Sequence, residues 1–388
     1  MRAARILVVD DEPGMVRAVE RVLGDVHHVV GSSSSAAALG IAADFNPALA
    51  IVDIRMPDLD GFELMARLKT RFPDLDIILM TGSIEDLDEK LIRALRSPAF
   101  YFIQKPFDRE VLLTLVDRCL ELRWRREEHR RHLDRLEGEM NAARAFQQSL
   151  LPEPSAIVNG VAICCRYTPC ERLGGDLYDY AATSSGRTAL LVADVSGHGV
   201  SAAMLTGVVK SAFHACRAQE FEPLTVVHRV SAGLAAFGLD RFVTLVAALI
   251  APDECRLHYV SAGHPSMALW NSRGHEPLWL ESTGPIVSPA FPAAVWEKRH
   301  VAMREGDQLL LFTDGVVEGL ESADACGQAR IASTIERHAE GGAPLLDSIL
   351  AAVRCDLAGR PQADDFALLT ASVLPNPDAG SRSQTVQT

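Results

Sequence analysis

The chain has 388 residues, 48% hydrophobic and 23% charged, which suits two or three globular domains with real cores. Its 38 Lys and Arg stand against 51 Asp and Glu, and the net charge of −13 argues against broad nucleic-acid binding and against a cationic membrane footprint. The longest apolar run, Phe242–Ala251, falls well short of the roughly 20 residues of a membrane span, and the N-terminal stretch before Asp10 is too short for a signal peptide, so a cytoplasmic protein is expected. The cysteines, at positions 119, 164, 165, 170, 216, 255, 326 and 355, form no CxxC pair and read as reduced core residues.

Over the first 110 residues apolar runs alternate with amphipathic stretches, and strands are predicted at 5–10, 28–33, 49–54, 76–81 and 100–105. The pattern predicts an α/β domain, a doubly wound five-stranded parallel sheet whose ligands bind beyond the carboxyl ends of the strands. A heptad seam follows: Leu112, Leu115, Cys119, Leu122, then Arg126 and His129 as a polar break, then Leu133, Leu136, Met140, Ala143, Gln147 and Leu150. It reads as a parallel coiled coil joining two domains and two chains, or as a solvated helix packed on one domain. From 152 to about 374, short β-rich runs and helical patterns at 200–217, 223–237, 329–338 and 344–357 predict an α+β domain with a largely antiparallel core. The expected partition is 1–118, a helical coiled-coil linker 119–150, a second domain 151–374 and a disordered tail 375–388.

Asp10 and Asp11 follow the first strand, Asp53 ends the third, Thr81 the fourth and Lys105 the fifth, so all five converge at one edge of a parallel sheet. Three carboxylates repel one another unless a hard cation sits among them, and Mg²⁺ is the natural choice. One carboxylate can then take a phosphoryl group, with a lysine and a threonine hydroxyl on its oxygens. The pieces Val8-Val9-Asp10-Asp11-Glu12-Pro13, Val52-Asp53-Ile54-Arg55-Met56-Pro57, Met80-Thr81-Gly82-Ser83 and Gln104-Lys105-Pro106-Phe107 resemble the receiver domain of two-component response regulators. The resemblance implies Asp53 as phospho-acceptor, and Asp10, Asp11, Asp53 and the Arg55 carbonyl around Mg²⁺. It implies Thr81 and Phe102 as switch residues, Lys105 as the phosphate-sensing cation, and a cis Lys105–Pro106 bond. It also implies a sensor histidine kinase or phosphotransfer protein as partner.

In the second domain, acids sit in Gly174-Gly175-Asp176-Leu177-Tyr178-Asp179, Asp194-Val195-Ser196-Gly197-His198-Gly199, Thr313-Asp314-Gly315 and Asp364-Asp365-Phe366. Separated aspartates without ligand-spaced cysteine or histidine point to oxygen-coordinated Mg²⁺ or Mn²⁺, and a pair of such ions can activate water against a phosphate ester. With Ser149-Leu150-Leu151-Pro152 and Ser261-Ala262-Gly263-His264-Pro265, these pieces resemble bacterial PP2C-type Ser/Thr phosphatases of the sporulation-phosphatase and stress-regulator kind, a β-sandwich flanked by helices. The resemblance implies Asp194 as the acid bridging two metals with the Val195 carbonyl beside it, and Asp176, Asp314 and Asp364 as the remaining metal acids. Asp365, His198 and His264 are secondary candidates. Ala367 stands where the family often has Thr.

The implied function is a response regulator whose output is a metal-dependent phosphatase for a phosphorylated anti-sigma-factor antagonist, dimeric through the linker helix. The alternative is a phosphatase-like adaptor that binds a sigma factor and delivers it for proteolysis or sequestration. The retained acids favour the enzyme. No basic helix-turn-helix pattern supports a transcription factor.

Overall fold

The computed structural model describes residues 3–82, 100–197, 199–217, 220–271, 276–320 and 326–375. The chain divides into two compact units, Met1–Glu137 and Gly138–Thr388. Position 198 and the tail beyond 375 lie outside the described residues.

In the first unit five parallel strands, β1 (Arg5–Val9), β2 (His28–Ser32), β3 (Leu49–Asp53), β4 (Asp76–Thr81) and β5 (Phe100–Gln104), are ordered β2-β1-β3-β4-β5. Each ends within a residue of its predicted limit. The reason is burial on both faces: every residue of β3 and β4 is buried, which demands solid apolar runs. Helices α1 (Pro13–Leu23), α2 (Ser35–Phe45) and α3 (Gly61–Arg71) connect the strands. Pro13 presets the first turn of α1, and the Asp60 carboxylate caps α3 by accepting from the Glu63 N–H at 2.7 Å. A Cβ at Gly61 would collide with the Asp53 carbonyl, so glycine there lets α3 start against the end of β3.

Helix α4 runs unbroken from Arg109 to Leu150, and the division between the two units falls inside it. Its first turns bury Leu112, Val116, Cys119 and Leu120 in the core of the first unit, beside Ile6, Val8 and Ile78. This corrects the seam at its start: Leu112 and Cys119 pack within their own unit. The polar break is engaged there too. Arg126 Nη2 lies 2.9 Å from Asp76 Oδ1 and Arg123 Nη1 3.5 Å from Asp76 Oδ2, and Asp76 itself is buried. Further along, Leu133 and Leu136 are exposed, whereas Gln147 is buried. Asp76→Ala is expected to lower the unfolding free energy of the first unit by about 1–2 kcal/mol, because two guanidinium contacts to one buried carboxylate are lost. Urea unfolding followed by Trp124 fluorescence measures it, and an unchanged midpoint would show the contacts to be idle.

The second unit is a sandwich of two antiparallel sheets. One has the order β14 (Arg299–Ala302), β11 (Arg256–Ala262), β10 (Val243–Ala251), β9 (Thr188–Val195), β8 (Leu177–Ala182). The other is β13 (Leu278–Leu280), β12 (Met267–Asn271), β15 (Asp307–Phe312), β16 (Phe366–Val373), β7 (Val161–Thr168), β6 (Ser155–Val158). Val192, Val246 and Leu257 face Ile163, Leu309 and Leu369 in the layer between the sheets. Outside the first sheet, α5 (Val200–Arg217) and α6 (Pro223–Leu234) cover Leu191, Ala193 and Leu245 with Phe213, Val226 and Val230. Outside the second, α7 (Asp314–Leu320), α8 (Gly327–Arg337) and α9 (Gly342–Leu357) cover Leu310, Phe312 and Leu368. Strand β10 is buried on both faces along its whole length, which accounts for the longest apolar run of the chain.

The cysteines depart from the expectation. Cys119, Cys165 and Cys216 are buried, Cys164 and Cys170 are half-buried, and Cys255, Cys326 and Cys355 are exposed, all as free thiols. Among the described residues no helix is long and apolar enough to cross a membrane.

Candidate functional sites

In the first unit the strand order reverses between β1 and β3, which opens a crevice beyond their carboxyl ends. The register Val9↔Val52 sets Asp10 level with Asp53. Carboxylate oxygens of Asp10, Asp11 and Asp53 lie within 4.8 Å of one another, with Asp10 and Asp53 buried and Asp11 exposed. Lys105 Nζ reaches Asp10 Oδ2 and Asp53 Oδ1, both at 2.6 Å, and the Lys105–Pro106 bond is cis. The Glu12 N–H donates to Asp10 Oδ1 at 3.0 Å and the Arg55 N–H to Asp53 Oδ2 at 2.9 Å. Thr81 closes buried β4, and Phe102 on β5 packs half-buried against the core that holds Val9 and Val52. Burial raises the Asp53 pKa, with the Lys105 ammonium opposing it. Burial alone would lower the Lys105 pKa, but its bonds to Asp10 and Asp53 outweigh that and raise it. Three acids against one lysine leave an all-oxygen, net negative pocket, the donor set of a hard divalent cation.

In the second unit Asp176 opens β8, Asp194 lies in β9, Asp314 starts α7 and Asp364 precedes β16. Burial holds the Asp176 carboxyl well above the usual range, and the Asp194 charge adds to it. Burial, then the charges of Asp314 and Asp364, push Asp194 up to about 8. The four acids therefore share one field, drawn from both sheets of the sandwich. The Gly175–Asp176 segment rests on the end of β9: Val195 N–H donates to the Gly175 carbonyl at 3.2 Å, and a Cβ at Gly175 would collide with the Val195 carbonyl.

The comparisons decide the family of each unit. Residues 6–117 match the response regulator receiver domain, and residues 184–374 match stage II sporulation protein E (SpoIIE). The phosphoserine phosphatase RsbP of Bacillus subtilis (strain 168) is 32% identical over 186 residues, covering 46% of this chain and 45% of RsbP. The chain carries a receiver domain and a SpoIIE-type domain with the PP2C fold. The regulatory protein AtoC of Escherichia coli (strain K12) is 35% identical over 131 residues, 32% of this chain and 27% of AtoC. The SiaA-PP2C domain of Pseudomonas aeruginosa shares the fold of the second unit at a TM-score of 0.54 and 20% identity, covering 63% of this chain and 98% of that structure. The chain spans less than half the length of these curated relatives.

Around the PP2C acids the structure gives Thr313, to which the sequence reading assigned no role, and Asp365, a secondary metal candidate there, hydrogen-bonding work of their own. The Thr313 hydroxyl donates to Asp176 Oδ2 at 2.6 Å and accepts from the Ala367 N–H at 3.0 Å. Since position 367 acts there through its backbone, alanine serves. Asp365 is buried, and its two oxygens accept from the N–H groups of Gly175 at 2.5 Å, Cys170 at 2.7 Å and Asp176 at 3.4 Å. It thereby organises the loop that presents Asp176. Ligand atoms of Cys170, Asp364 and Asp365 lie within 4.8 Å of one another, so a half-buried thiol borders the PP2C site. The only cue in the sequence was the adjacency of Thr313 to Asp314 and of Asp365 to Asp364.

His264 follows β11 and is buried, with Nδ1 2.8 Å from the Thr244 hydroxyl. Burial lowers its pKa to about 3, the Phe312 backbone opposing. The unfolded chain titrates near 6.5, so below that pH the unfolded state takes up a proton that the folded state refuses. The neutral imidazole thus contributes stability above pH 6.5 that is lost as pH falls, at about 1.4 kcal/mol per unit. The stability of His264→Leu is therefore expected to fall less steeply than wild type between pH 6.5 and 4.5 in urea titrations. Parallel slopes would refute the assignment.

Proposed function

We propose that this chain is a response regulator in which phosphorylation of Asp53 governs a metal-dependent phosphoserine/phosphothreonine phosphatase. The observation that carries the reading is the convergence of the four acids in a chain similar to RsbP: burial and the Asp194 charge raise the Asp176 pKa, and burial with the charges of Asp314 and Asp364 raises that of Asp194. Both acid clusters fit hard divalent cations, since the donors are oxygens with a surplus of negative charge. Asp10, Asp11, Asp53 and the Arg55 carbonyl would hold Mg²⁺. Asp176, Asp194, Asp314 and Asp364, with the Val195 carbonyl, would hold two Mn²⁺ or Mg²⁺. Bound there, the ions would supply charge against phosphoryl oxygens and a water of lowered pKa.

The chain's own residues do the rest. An Asp53 carboxylate oxygen bonds to phosphorus while the bond to the donor's leaving group breaks, and the donor keeps the electron pair. Lys105, already on Asp10 and Asp53, offsets the charge that arrives with the phosphoryl group. Thr81 at the end of β4 hydrogen-bonds a phosphoryl oxygen, and Phe102 repacks with it. In the PP2C domain Thr313 and Asp365 fix Asp176 before substrate arrives, so little reorganisation is needed during reaction. The donor is a histidine kinase or phosphotransfer protein, and the substrate a phosphorylated anti-sigma-factor antagonist. Two chains pair through the exposed seam of α4 that begins at Leu133 and Leu136.

The test is Mn²⁺-dependent hydrolysis of p-nitrophenyl phosphate by the full chain, with and without beryllofluoride. Turnover should require metal and change several-fold when beryllofluoride occupies Asp53. Metal-independent turnover would refute the enzyme reading. Equal turnover for treated wild type and Asp53→Ala would refute the coupling.

A further inference from the structure

Gln147 occupies a heptad position, yet the structure buries it. On the last turn of α4 its side chain turns onto the loop before β8. Nε2 donates to the Gly174 carbonyl at 2.6 Å, and Oε1 accepts from the Gly174 N–H at 3.2 Å. A primary amide offers one donor edge and one acceptor edge, so it can satisfy both backbone groups of one residue at once. Gly174 cannot carry a side chain here, because a Cβ would collide with the Tyr167 hydroxyl and the Asp365 carboxylate. The loop is thus held from two sides, by Gln147 at Gly174 and by Asp365 at Gly175, and the next residue is Asp176.

We propose that Gln147 is a positioning residue: by clamping Gly174 it sets where the Asp176 carboxylate stands, and so couples the last turn of the linker helix to the metal affinity of the PP2C site. The inference rests on the proposed metal role of Asp176 and Asp194. Groups that orient metal ligands without touching the ion are typically worth 10- to 100-fold in affinity. Loss of the clamp leaves a buried N–H and a buried carbonyl seeking partners, and the loop can meet them only by shifting.

The experiment measures Mn²⁺ binding to the full chain by the loss of the free Mn²⁺ signal in electron paramagnetic resonance. An Asp11→Asn background weakens the receiver site. Gln147→Met keeps the length, volume and helix preference of the side chain and removes both hydrogen bonds. Gln148→Ala, at the exposed neighbouring position, is the control. Gln147→Met should weaken Mn²⁺ binding about tenfold or more and raise the Mn²⁺ concentration for half-maximal p-nitrophenyl phosphate turnover in parallel. The KM for the ester at saturating Mn²⁺ should hold, and Gln148→Ala should match its parent.

Unchanged Mn²⁺ affinity in Gln147→Met, with helical content intact by circular dichroism, would overturn the proposal. Should that variant fail to fold, Gln147→Glu decides in the same way, since it retains the acceptor for Gly174 N–H and loses the donor. Asp194→Asn in the same background separates the two ideas. If it binds Mn²⁺ as well as its parent, the metal site itself is wrong. If it loses Mn²⁺ while the Gln147 variants do not, only the clamp is wrong.

Discussion

Asp194→Asn is expected to reduce Mn²⁺-dependent turnover by about a thousandfold or more while making the metal-free protein more stable. The two effects have one cause. Burial, with the charges of Asp314 and Asp364 added, pushes the Asp194 pKa up to about 8, so ionising it there works against the fold until a cation arrives. Asn keeps the shape and removes the charge. With EDTA the variant should gain about 1–3 kcal/mol over wild type. With saturating Mn²⁺ the order should reverse, because only wild type draws on metal binding. A factor of a thousand in rate is about 4 kcal/mol of barrier, within reach of a lost charge in a metal site. Thermal melts with EDTA and with Mn²⁺, beside steady-state turnover, test both halves. Equal melting of the two proteins under both conditions would mean that the acids hold no metal.

Asp53→Ala is expected to lower phosphoryl uptake from acetyl phosphate to background, and Lys105→Ala to destabilise the receiver by about 2–4 kcal/mol. In the proposed reading Asp53 is the nucleophile: Asp10 and Asp53 are both buried and both bonded by Lys105, whereas Asp11 is exposed. Lys105 bridges Asp10 and Asp53, and without it two buried carboxylates face each other. Millimolar Mg²⁺ should therefore restore part of the stability lost in Lys105→Ala. Phosphoprotein gels and Mg²⁺ titrations of the melting temperature measure the two effects. Uptake that persists in Asp53→Ala would move the acceptor elsewhere. A Lys105→Ala protein as stable as wild type would show that the carboxylates are not opposed.

The receiver was legible in the sequence because its strands are buried on both faces. Such strands must be apolar throughout, so Asp10, Asp53 and Lys105 stand out where the runs stop, and parallel order brings those stops to one edge. The same logic located β10 and β16 of the PP2C domain. It missed β8 and β12, and also β6, β13 and β14, edge strands of three or four residues defined by pairing more than by composition.

The heptad seam was a real periodicity with the wrong partner at both ends. Spacing reports that one face of a helix is apolar, and it does not say what covers that face. The tertiary structure buries Leu112 and Cys119 in the first unit and turns Gln147 onto Gly174. The acids that would hold metal were named from motifs, but what aims them was not. Thr313 meets Asp176 from 137 positions away, and Asp365 meets Gly175 from 190. A hydrogen bond between side chains or loops so distant leaves no periodic trace, because its geometry exists only once both sheets have packed.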